Sequence, residues 1–423
     1  ALITQEGCAT ISDGNGNLLF YTNGVTVWDR THNLMPNGTG LLGHDSSSQS
    51  AIVVPNPGNL DLYYVFTVDQ KGEANGFQYS VVDMTLNGGL GDVTLKNIPL
   101  TTPVAEKLTA VEHANGTDIW VLVHTYGNDQ FLAYLVTPTG VITTPVVSSV
   151  GRDLPLDPGS KGTGGYMKIS PDGQYLAYVN GIGRDRDLFR FDALTGQVSD
   201  FIDLNPYFPA PNFSFISTSY GVEFSSDSSK LYITSANFYP NFTWEHNIHQ
   251  FDISTYSAPA ILASGLEIAP MRPGDEGALQ LGIDGKIYVA EFGQNALSVI
   301  NNPNLGGLAC NYVPDAVPLI SGSSRLGLPP FIQSFFVVGL RARNFCLGDD
   351  TEFEVTSTDP IVSNAWDFGD GNSSTLETPT HTYAAAGTYP VSVTVTTTSD
   401  TKTESKDITI YETPVANPPA DLV

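Results

Sequence analysis

Hydrophobic and polar residues alternate in short runs along most of the chain, and the same series of runs recurs. Each repeat has a small or apolar strand, a turn of Gly, Asn and Asp, and then an aromatic-rich second strand. Alternation with a period of two predicts half-buried β-strands, and β-branched and aromatic residues favour strands over helices. The second strands read LLFYT, LYYVFTV, IWVLVHT, YLAYVNG, KLYITSA and KIYVAEF. The pattern therefore predicts an all-β fold built from repeats.

The spacing of these repeats predicts one structural unit per step. Between the equivalent apolar positions the steps are 44, 57, 57, 55 and 56 residues. The positions counted are Leu18, Leu62, Ile119, Leu176, Leu231 and Ile287. Four short strands in each unit of about 40 to 57 residues are typical of the blades of a β-propeller.

The number of repeats predicts a seven-bladed type of propeller over residues 1–340. Six first strands lie near Ala9, Ile52, Thr109, Met167, Val222 and Leu279. A seventh first strand is expected at Phe331–Val337, where the spacing places it. Propellers avoid open sheet edges when one end of the chain completes the blade begun by the other. We therefore expect six full blades, and we expect the remaining strands of the seventh blade to precede Ala1.

A Thr- and Val-rich segment at 341–412 predicts a second domain, a small antiparallel sandwich. Alternation along this segment places Tyr389, Val391, Val393 and Val395 on one buried face. The segment WDFGDG, followed by HTY and by GTYPVSV, resembles the PKD domain, an Ig-like sandwich. We expect Trp366 and Tyr383 to be core aromatics. Residues 413–423 are predicted to be a Pro-rich linker to a further domain.

The resemblance extends over the whole chain. The segments EGCATIS, NLLFYTNG, MPNG and LGLPPFIQSF are similar to those of the β-propeller plus PKD-domain proteins of Bacteroidetes. These surface proteins are exported by the type IX secretion system and are often associated with gliding motility. The resemblance implies an extracellular location at the cell surface. It also implies the type IX export machinery as a partner, through a sorting domain outside this chain.

Charge and composition exclude several classes of protein. The 18 Lys and Arg residues against 44 Asp and Glu residues give a formal net charge of −26. Nucleic acids and anionic membranes recruit basic patches, so we expect no nucleic-acid binding. No run of 18 apolar residues suggests insertion into a membrane. The cysteines Cys8, Cys310 and Cys346 show no metal-binding spacing and are not expected to form a stabilising disulfide.

The sequence carries no familiar catalytic or cofactor motif. GxSxG, HExxH, the P-loop and a strand-linked GxGxxG are all missing from the sequence, so neither an enzyme nor a cofactor is predicted. Asp13 begins a turn that resembles half of a calcium loop, but Gly24 stands where the loop needs Glu, so no metal site is predicted. The run of Arg184, Arg186 and Arg190 among aspartates is interpreted as a solvated hairpin.

Two aromatic-rich loops supply the candidate binding residues. Flat aromatic faces stack on sugar rings or on partner proteins, and exposed apolar area in loops is unusual unless something covers it. Coverage by the loop itself or by the second domain is the structural alternative. The candidates are Tyr207, Phe208, Phe213, Phe238, Tyr239, Phe242 and Trp244.

These observations favour a secreted, cell-surface binding or adhesion module of a larger extracellular protein. The propeller would be the recognition platform for a glycan or protein ligand, and the PKD domain would be a spacer. One alternative is a polysaccharide-acting hydrolase or lyase, which would need two carboxylates about 5 to 10 Å apart in an open funnel. A second alternative is a structural unit of an extracellular assembly.

Overall fold

The computed structural model describes the chain except for residues 1, 3, 14–15, 155–162, 182–184, 209–215, 239–243, 272–276, 333–338, 357–360, 398–400 and 413–423. The chain divides into two compact units, Ala1–Ser334 and Phe335–Val423. Most of the expected strand at Phe331–Val337 and the predicted linker 413–423 lie outside the described residues. No helix among the described residues is long and apolar enough to cross a bilayer.

The first unit contains six antiparallel sheets, counted over its described residues. Sheet 1 consists of β1 (Ala9–Ser12), β2 (Leu18–Thr22), β3 (Thr26–Asp29) and β4 (Leu34–Thr39). Sheet 2 consists of β5 (Ala51–Asn56), β6 (Asn59–Val68), β7 (Phe77–Asp83) and β8 (Asp92–Thr101). Sheet 3 consists of β9 (Val104–Glu112), β10 (Ile119–Thr125), β11 (Gln130–Thr137), β12 (Gly140–Val141) and β13 (Val146–Ser149).

The remaining three sheets repeat this order. Sheet 4 consists of β14 (Met167–Ile169), β15 (Tyr175–Val179), β16 (Arg186–Asp192) and β17 (Gln197–Asp203). Sheet 5 consists of β18 (Ile216–Phe224), β19 (Lys230–Phe238), β20 (Trp244–Asp252) and β21 (Leu266–Met271). Sheet 6 consists of β22 (Leu279–Leu281), β23 (Ile287–Val289), β24 (Ala296–Ile300) and β25 (Tyr312–Pro318). Helical segments are α1 (Ala258–Ser264) and the 3₁₀ turns Asn87–Gly89, Asn205–Tyr207 and Gly307–Cys310.

Every sheet is a meander whose strands follow chain order, except that both β12 and β13 pair with β11 in sheet 3. The predicted second strands are all confirmed in position, because each of the six sequence segments overlaps the second strand of its sheet. The first strand of each sheet lies beside the first strand of the next, from β1 through β22. This succession of four-stranded meanders is the arrangement of propeller blades.

Apolar side chains between consecutive sheets form the core of the first unit. Phe20 and Val27 of sheet 1 pack with Val65 of sheet 2. Sheets 3 and 4 enclose a cluster that contains Leu122, Phe131, Leu176 and Phe189. A third cluster contains Leu188 of sheet 4 together with Val222 and Leu231 of sheet 5. Alternating side chains thus serve both neighbours of a sheet, as the period of two requires.

The second unit is a two-sheet sandwich. Its strands are β26 (Gly339–Arg343), β27 (Thr351–Thr356), β28 (Ile361–Asp367), β29 (Ser373–Ser374), β30 (Thr380–His381), β31 (Gly387–Thr397) and β32 (Thr401–Ile410). One sheet has the order β26-β27-β30 and the other β29-β28-β31-β32. Val391, Val393 and Val395 are fully buried, and Trp366 and Tyr383 lie in the same core, as predicted.

The turn of WDFGDG is held by its aspartates. Asp367 accepts a hydrogen bond from the Gly369 amide at 2.9 Å, and Asp370 accepts one from the Asn372 amide at 3.0 Å. Gly369 has a φ of 76°, where a side chain would also meet the backbone of Pro390. The motif therefore has a structural role in this turn.

Candidate functional site

Tyr207 and Phe208 lie together at the 3₁₀ turn that connects sheet 4 to sheet 5. Both side chains are half-buried, and their rings meet edge to face at 4.9 Å. The two rings pack against His249 of β20, at centroid distances of 5.5 Å for Tyr207 and 4.8 Å for Phe208. Tyr207 also contacts Phe251 at 4.9 Å. One side of this aromatic pair is therefore core, and the other side is open to solvent.

Arg186 packs against the Phe208 ring of this pair from the buried side. Its guanidinium lies 4.2 Å from the centre of the Phe208 ring, although the residue is only 1% exposed. Arg186 Nε donates to Ser219 Oγ at 2.6 Å. The prediction of a solvated hairpin is therefore wrong at Arg186, because the packing of sheet 4 against its neighbours buries that side chain. Arg184 lies outside the described residues.

His249 is neutral near physiological pH. Burial, together with the nearby Arg186 charge, lowers the pKa of the His249 imidazole to about 4. Its ring nitrogens are hydrogen-bonded to Ser235 Oγ at 2.8 Å and to the Tyr207 hydroxyl at 3.3 Å. His249 therefore fixes the orientation of Tyr207.

The other candidates lie at the β19–β20 hairpin of sheet 5 or outside the described residues. Phe238 and Trp244 form the last backbone pair of β19 and β20, and their side chains are outside the described part. Trp244 precedes His249 by five residues, which corresponds to about 16 Å along a strand. Phe213, Tyr239 and Phe242 lie outside the described residues. Among the candidate binding residues whose side chains the structure describes, only Tyr207 and Phe208 are in contact with each other.

A carboxylate pair lies where the first strands begin. Glu6 Oε2 accepts from Ser48 Oγ at 3.1 Å, and Glu106 Oε2 accepts from the Ser48 amide at 3.3 Å. Because both carboxylates reach one residue, they lie within about 10 Å of each other, the outer limit for glycosidase acid pairs. Burial raises the pKa of Glu6, and the nearby Glu106 charge adds to the rise, although hydrogen bonds from Tyr220 and Ser48 oppose it.

A buried cluster of ionisable side chains lies between sheets 3 and 4. Lys107, His124, Tyr178 and Asp187 are each at most 1% exposed. Burial lowers the pKa of Lys107 to about 7 and that of His124 to about 4, and it raises the pKa of Asp187 to about 7. Such clusters are enriched at functional sites but also occur as structural networks.

Hydrogen bonds satisfy the Lys107 amine and the Asp187 carboxyl group of this cluster. Lys107 Nζ donates to the carbonyl oxygens of Val179 at 2.9 Å and Gly164 at 3.2 Å, and to the Asn180 side chain. Arg152 Nε donates to both oxygens of Asp187 at 3.2 Å. Sequence reasoning missed this cluster, since Lys107 and Asp187 are 80 positions apart in the sequence. The available signal was the adjacent charged pair Glu106-Lys107 near the start of β9, a strand rich in apolar residues.

A cleft of about 380 Å³ lies on the face of sheet 1 that points away from sheet 2. Tyr21 of β2 pairs with Trp28 of β3, and their rings stack at 5.5 Å. His32 Nδ1 is hydrogen-bonded to the Tyr21 hydroxyl at 3.3 Å. The lining residues are Leu2, Cys8, Ala9, Thr10, Leu18, Tyr21, His32 and Pro329. Among the described residues, no group of three or more His, Cys, Asp or Glu side chains could hold a metal ion.

Comparison with known proteins adds the class of the second unit. Residues 339–411 match the family model described as the PKD domain, so the chain is an all-β protein with propeller-type sheets followed by a PKD domain. The PKD1 domain of the Vibrio cholerae metalloprotease PrtV is 32% identical, covering 17% of this chain and 93% of that chain, with a TM-score of 0.16. The PKD1 domain of Vibrio anguillarum Epp is 30% identical, covering 18% of this chain and 94% of that chain, with a TM-score of 0.17.

A solved structure that matches most of the chain is more distant in sequence. Hydrazine synthase of Kuenenia stuttgartiensis is 13% identical, covering 88% of this chain and 92% of that chain, with a TM-score of 0.41. No curated protein matches the chain.

Proposed function

We propose that the chain is a secreted binding module of a larger cell-surface protein. The first unit would be the platform that recognises a glycan or protein ligand, and the PKD domain at 339–411 would be the spacer. Export by the type IX system, with a role in adhesion or gliding, is the cellular setting that the sequence resemblance favours. The observation that carries the proposal is the half-exposed aromatic pair of Tyr207 and Phe208.

The chemistry of this pair suits a flat, weakly charged ligand surface. Arg186 occupies one face of Phe208, and neutral His249 holds Tyr207, so the rings are pre-oriented. Aromatic rings held in this way bind sugar faces or apolar protein segments at a small entropic cost. The net charge of −26 disfavours polyanionic ligands.

We propose that this platform is a ring with places for seven β-sheets, six of which are the sheets described above. Each of sheets 1 to 4 is linked to the following sheet by a backbone hydrogen bond. In each case an amide in or just before the first strand of one sheet donates to a carbonyl in or just before the first strand of the next sheet. The pairs are Gly7 to Ser47, Gln49 to Glu106, Glu106 to Thr163 and Tyr166 to Tyr220, at 2.9 to 3.2 Å. Ala278, which precedes sheet 6, donates in the same way to Leu326 at 2.7 Å.

Leu326 therefore accepts the hydrogen bond that, in sheets 1 to 4, goes to the start of the following sheet. A Cβ on Gly327 would lie 1.8 Å from the Glu6 carbonyl oxygen, so this segment also touches the start of sheet 1. Leu326 and Gly327 thus stand between the last sheet and the first, and this supports a seventh position.

A glycan array probed with the soluble 423-residue chain tests the binding function. We expect Tyr207→Ala and Phe208→Ala to weaken binding about tenfold, equivalent to about 1.4 kcal/mol. Phe292→Ala is the matched control, because Phe292, in the turn between β23 and β24, is an aromatic residue that is 42% exposed. Unchanged binding in both variants, or equal loss in the control, would contradict the role of the aromatic pair.

The carboxylate pair favours a second candidate, a polysaccharide-acting hydrolase. Glu6, with its raised pKa, would be the general acid, and Glu106 would be the base or nucleophile. Release of reducing sugar from a panel of polysaccharides is the test. Activity that Glu106→Gln abolishes, and that the exposed control Glu267→Gln retains, would support hydrolysis. Lack of activity over the panel would leave binding as the better proposal.

A further inference from the structure

The Lys107 amine and the Asn180 side chain meet in a part of the fold that excludes water. Lys107 belongs to β9 of sheet 3, Asn180 directly follows β15 of sheet 4, and both residues are 0% exposed. Lys107 Nζ lies 2.5 Å from Asn180 Oδ1, although the two residues are 73 positions apart in the chain. The fold therefore holds an amine nucleophile in contact with a carboxamide, which is the arrangement that an acyl transfer between two side chains requires.

The surroundings of Lys107 favour the neutral, nucleophilic form of its amine. Burial lowers the pKa of Lys107 to about 7, so a large share of the amine carries no charge near neutral pH. The other two contacts of Nζ are the carbonyl oxygens of Val179 at 2.9 Å and Gly164 at 3.2 Å. The ammonium donates to all three oxygens, whereas the neutral amine has two hydrogens for the two carbonyls and keeps its lone pair for Asn180.

Asp185 contacts the amide nitrogen that an attack on Asn180 would release. Asn180 Nδ2 donates to Asp185 Oδ2 at 2.7 Å. Arg152 Nε lies 3.8 Å from Asp185 Oδ1 and helps to hold the carboxylate, whose side chain is 18% exposed. A carboxylate placed in this way accepts the proton that the attacking amine loses and passes it to the departing nitrogen. Its partial exposure gives the released ammonia a route to solvent.

A second buried lysine shows which of these features contact alone does not supply. Lys168 Nζ also lies 2.5 Å from an amide oxygen, that of Gln280, but it forms an ion pair with Glu223 at 2.9 Å. This ion pair favours the ammonium, which has no lone pair. The Gln280 Nε2 group donates to the Leu281 carbonyl at 3.0 Å, so its partner there is a carbonyl and not a carboxylate. Lys168 is therefore the matched contrast to Lys107.

We propose that Lys107 and Asn180 join in an intramolecular isopeptide bond. The neutral Lys107 Nζ attacks Asn180 Cγ, the proton that Nζ loses passes through Asp185 to Nδ2, and the bond between Cγ and Nδ2 breaks. The products are one amide that connects the two side chains and one molecule of ammonia, so the step needs no oxidant and no cofactor. The bond fastens sheet 3 to sheet 4, and it does not depend on which ligand the first unit binds.

A backbone reaction competes for the same carboxamide, because Gly181 follows Asn180. Attack by the Gly181 amide on Asn180 Cγ gives a succinimide and also releases ammonia. In the fold this amide donates to the Gly164 carbonyl at 3.1 Å, which holds it in place. The two products have equal mass, so the experiment has to locate the change in the chain.

Peptide mapping of the protein as its host secretes it tests the proposal. We expect a loss of about 17 Da, the mass of one ammonia. After trypsin, segment 97–152 should remain uncut at Lys107 and should be joined to segment 169–184 in one branched peptide. A succinimide would leave Lys107 cleavable and confine the loss to segment 169–184, and this outcome would overturn the proposal. Unlinked peptides of full mass, as expected for a hydrogen-bonded ammonium, would overturn it as well.

Variants assign the individual roles. Lys107→Arg keeps a positive charge without the nucleophile and should be fully unlinked. Asp185→Asn should lower the linked fraction at least about tenfold, because a positioned proton-transfer group contributes more than this to a rate. Asp187→Asn is the matched control, since Asp187 is a neighbouring buried carboxyl group that accepts from Arg152, and it should remain linked.

Equal linkage in Asp185→Asn and wild type, or equal loss in Asp187→Asn, would overturn the role of Asp185. The wild-type peptide map decides on the bond itself, whether or not every variant folds. Asp185→Asn also preserves the free amine, which is the state in which Lys107 titrates.

Discussion

The Tyr220 hydroxyl donates a 2.7 Å hydrogen bond to Glu6 Oε2, which joins residues 214 positions apart in the chain. Tyr220 lies in β18 of sheet 5, whereas Glu6 precedes β1 of sheet 1. This bond links the beginning of the first unit to its fifth sheet. Glu6 also accepts from Ser46 and Ser48, which precede sheet 2, so one carboxylate connects three sheets.

Replacement of Tyr220 by Phe removes this donor and keeps the ring. A hydrogen bond to a charged group contributes about 1.5 to 3 kcal/mol, so we expect the variant to lose about 2 kcal/mol of unfolding free energy in the first unit. Urea unfolding measures this loss of free energy, and thermal unfolding in a calorimeter is the second measurement. Tyr288→Phe is the control, because its hydroxyl donates to Asp284 in an exposed pair. Equal stability of wild type and Tyr220→Phe would show that the bond contributes nothing.

A methyl group at Gly327 should open the contact between Leu326–Leu328 and Glu6. The added Cβ would lie 1.8 Å from the Glu6 carbonyl oxygen, which forces the backbone to shift. Overpacking of this kind costs about 1 to 3 kcal/mol, so we expect Gly327→Ala to lower the melting temperature of the first unit. At Gly306, φ is −78° and no atom would lie within 4 Å of a Cβ, so Gly306→Ala should leave the melting temperature unchanged. A normal melting temperature for Gly327→Ala would argue against the close approach.

The strands were predictable from sequence because their signal is local. Residues such as Phe77 to Asp83 alternate with a period of two and form β7 with the same bounds. The sandwich core around Trp366 was predictable for the same reason, since its motif is contiguous. Contacts between sheets carry no local signal. Asp187 of sheet 4 contacts Arg152, 35 positions earlier in the chain. Arg186, which carries a charge, is buried because it contacts Ser219 of sheet 5 and Phe208 in the connection between sheets 4 and 5.

Asp187 should make the first unit less stable as the pH rises from about 4 to about 7. Burial raises its folded pKa from the ordinary value of 3.8 to about 7, although Arg152 opposes the rise. Between these values the folded state binds more protons, so its stability is highest at low pH and falls by up to about 1.4 kcal/mol per pH unit. Asp187→Asn should flatten this slope in urea-unfolding experiments, and the exposed control Asp61→Asn should not. Parallel pH profiles for wild type and Asp187→Asn would refute the assignment.

Only one of the three cysteines should react in the native protein. Cys346 is exposed, whereas Cys8 and Cys310 are buried, and burial raises the pKa of the Cys8 thiol to about 12. Thiolate is the reactive form, so both buried thiols should be inert. Ellman's reagent should therefore detect one thiol per chain in buffer and three in 6 M guanidinium. Fewer than three in denaturant would reveal a disulfide.

Lys107 should produce the opposite pH dependence to Asp187, at higher pH. Burial lowers its folded pKa from the ordinary value of 10.5 to about 7, although Asp185, Glu106 and Asp187 oppose this shift. Between pH 7 and 10.5 the unfolded chain therefore binds more protons than the folded one, and stability rises with pH by up to about 1.4 kcal/mol per unit.

Lys107→Met removes this dependence, and it also removes the donors to Gly164, Val179 and Asn180. The variant should therefore be less stable than wild type by a larger margin at pH 10 than at pH 7. Urea midpoints at the two pH values measure the margins, and Lys96→Met, at an exposed lysine that donates to Asn37 and Thr39, is the control. A margin that does not change with pH would mean that Lys107 stays charged in the fold, held by the carboxylates around it.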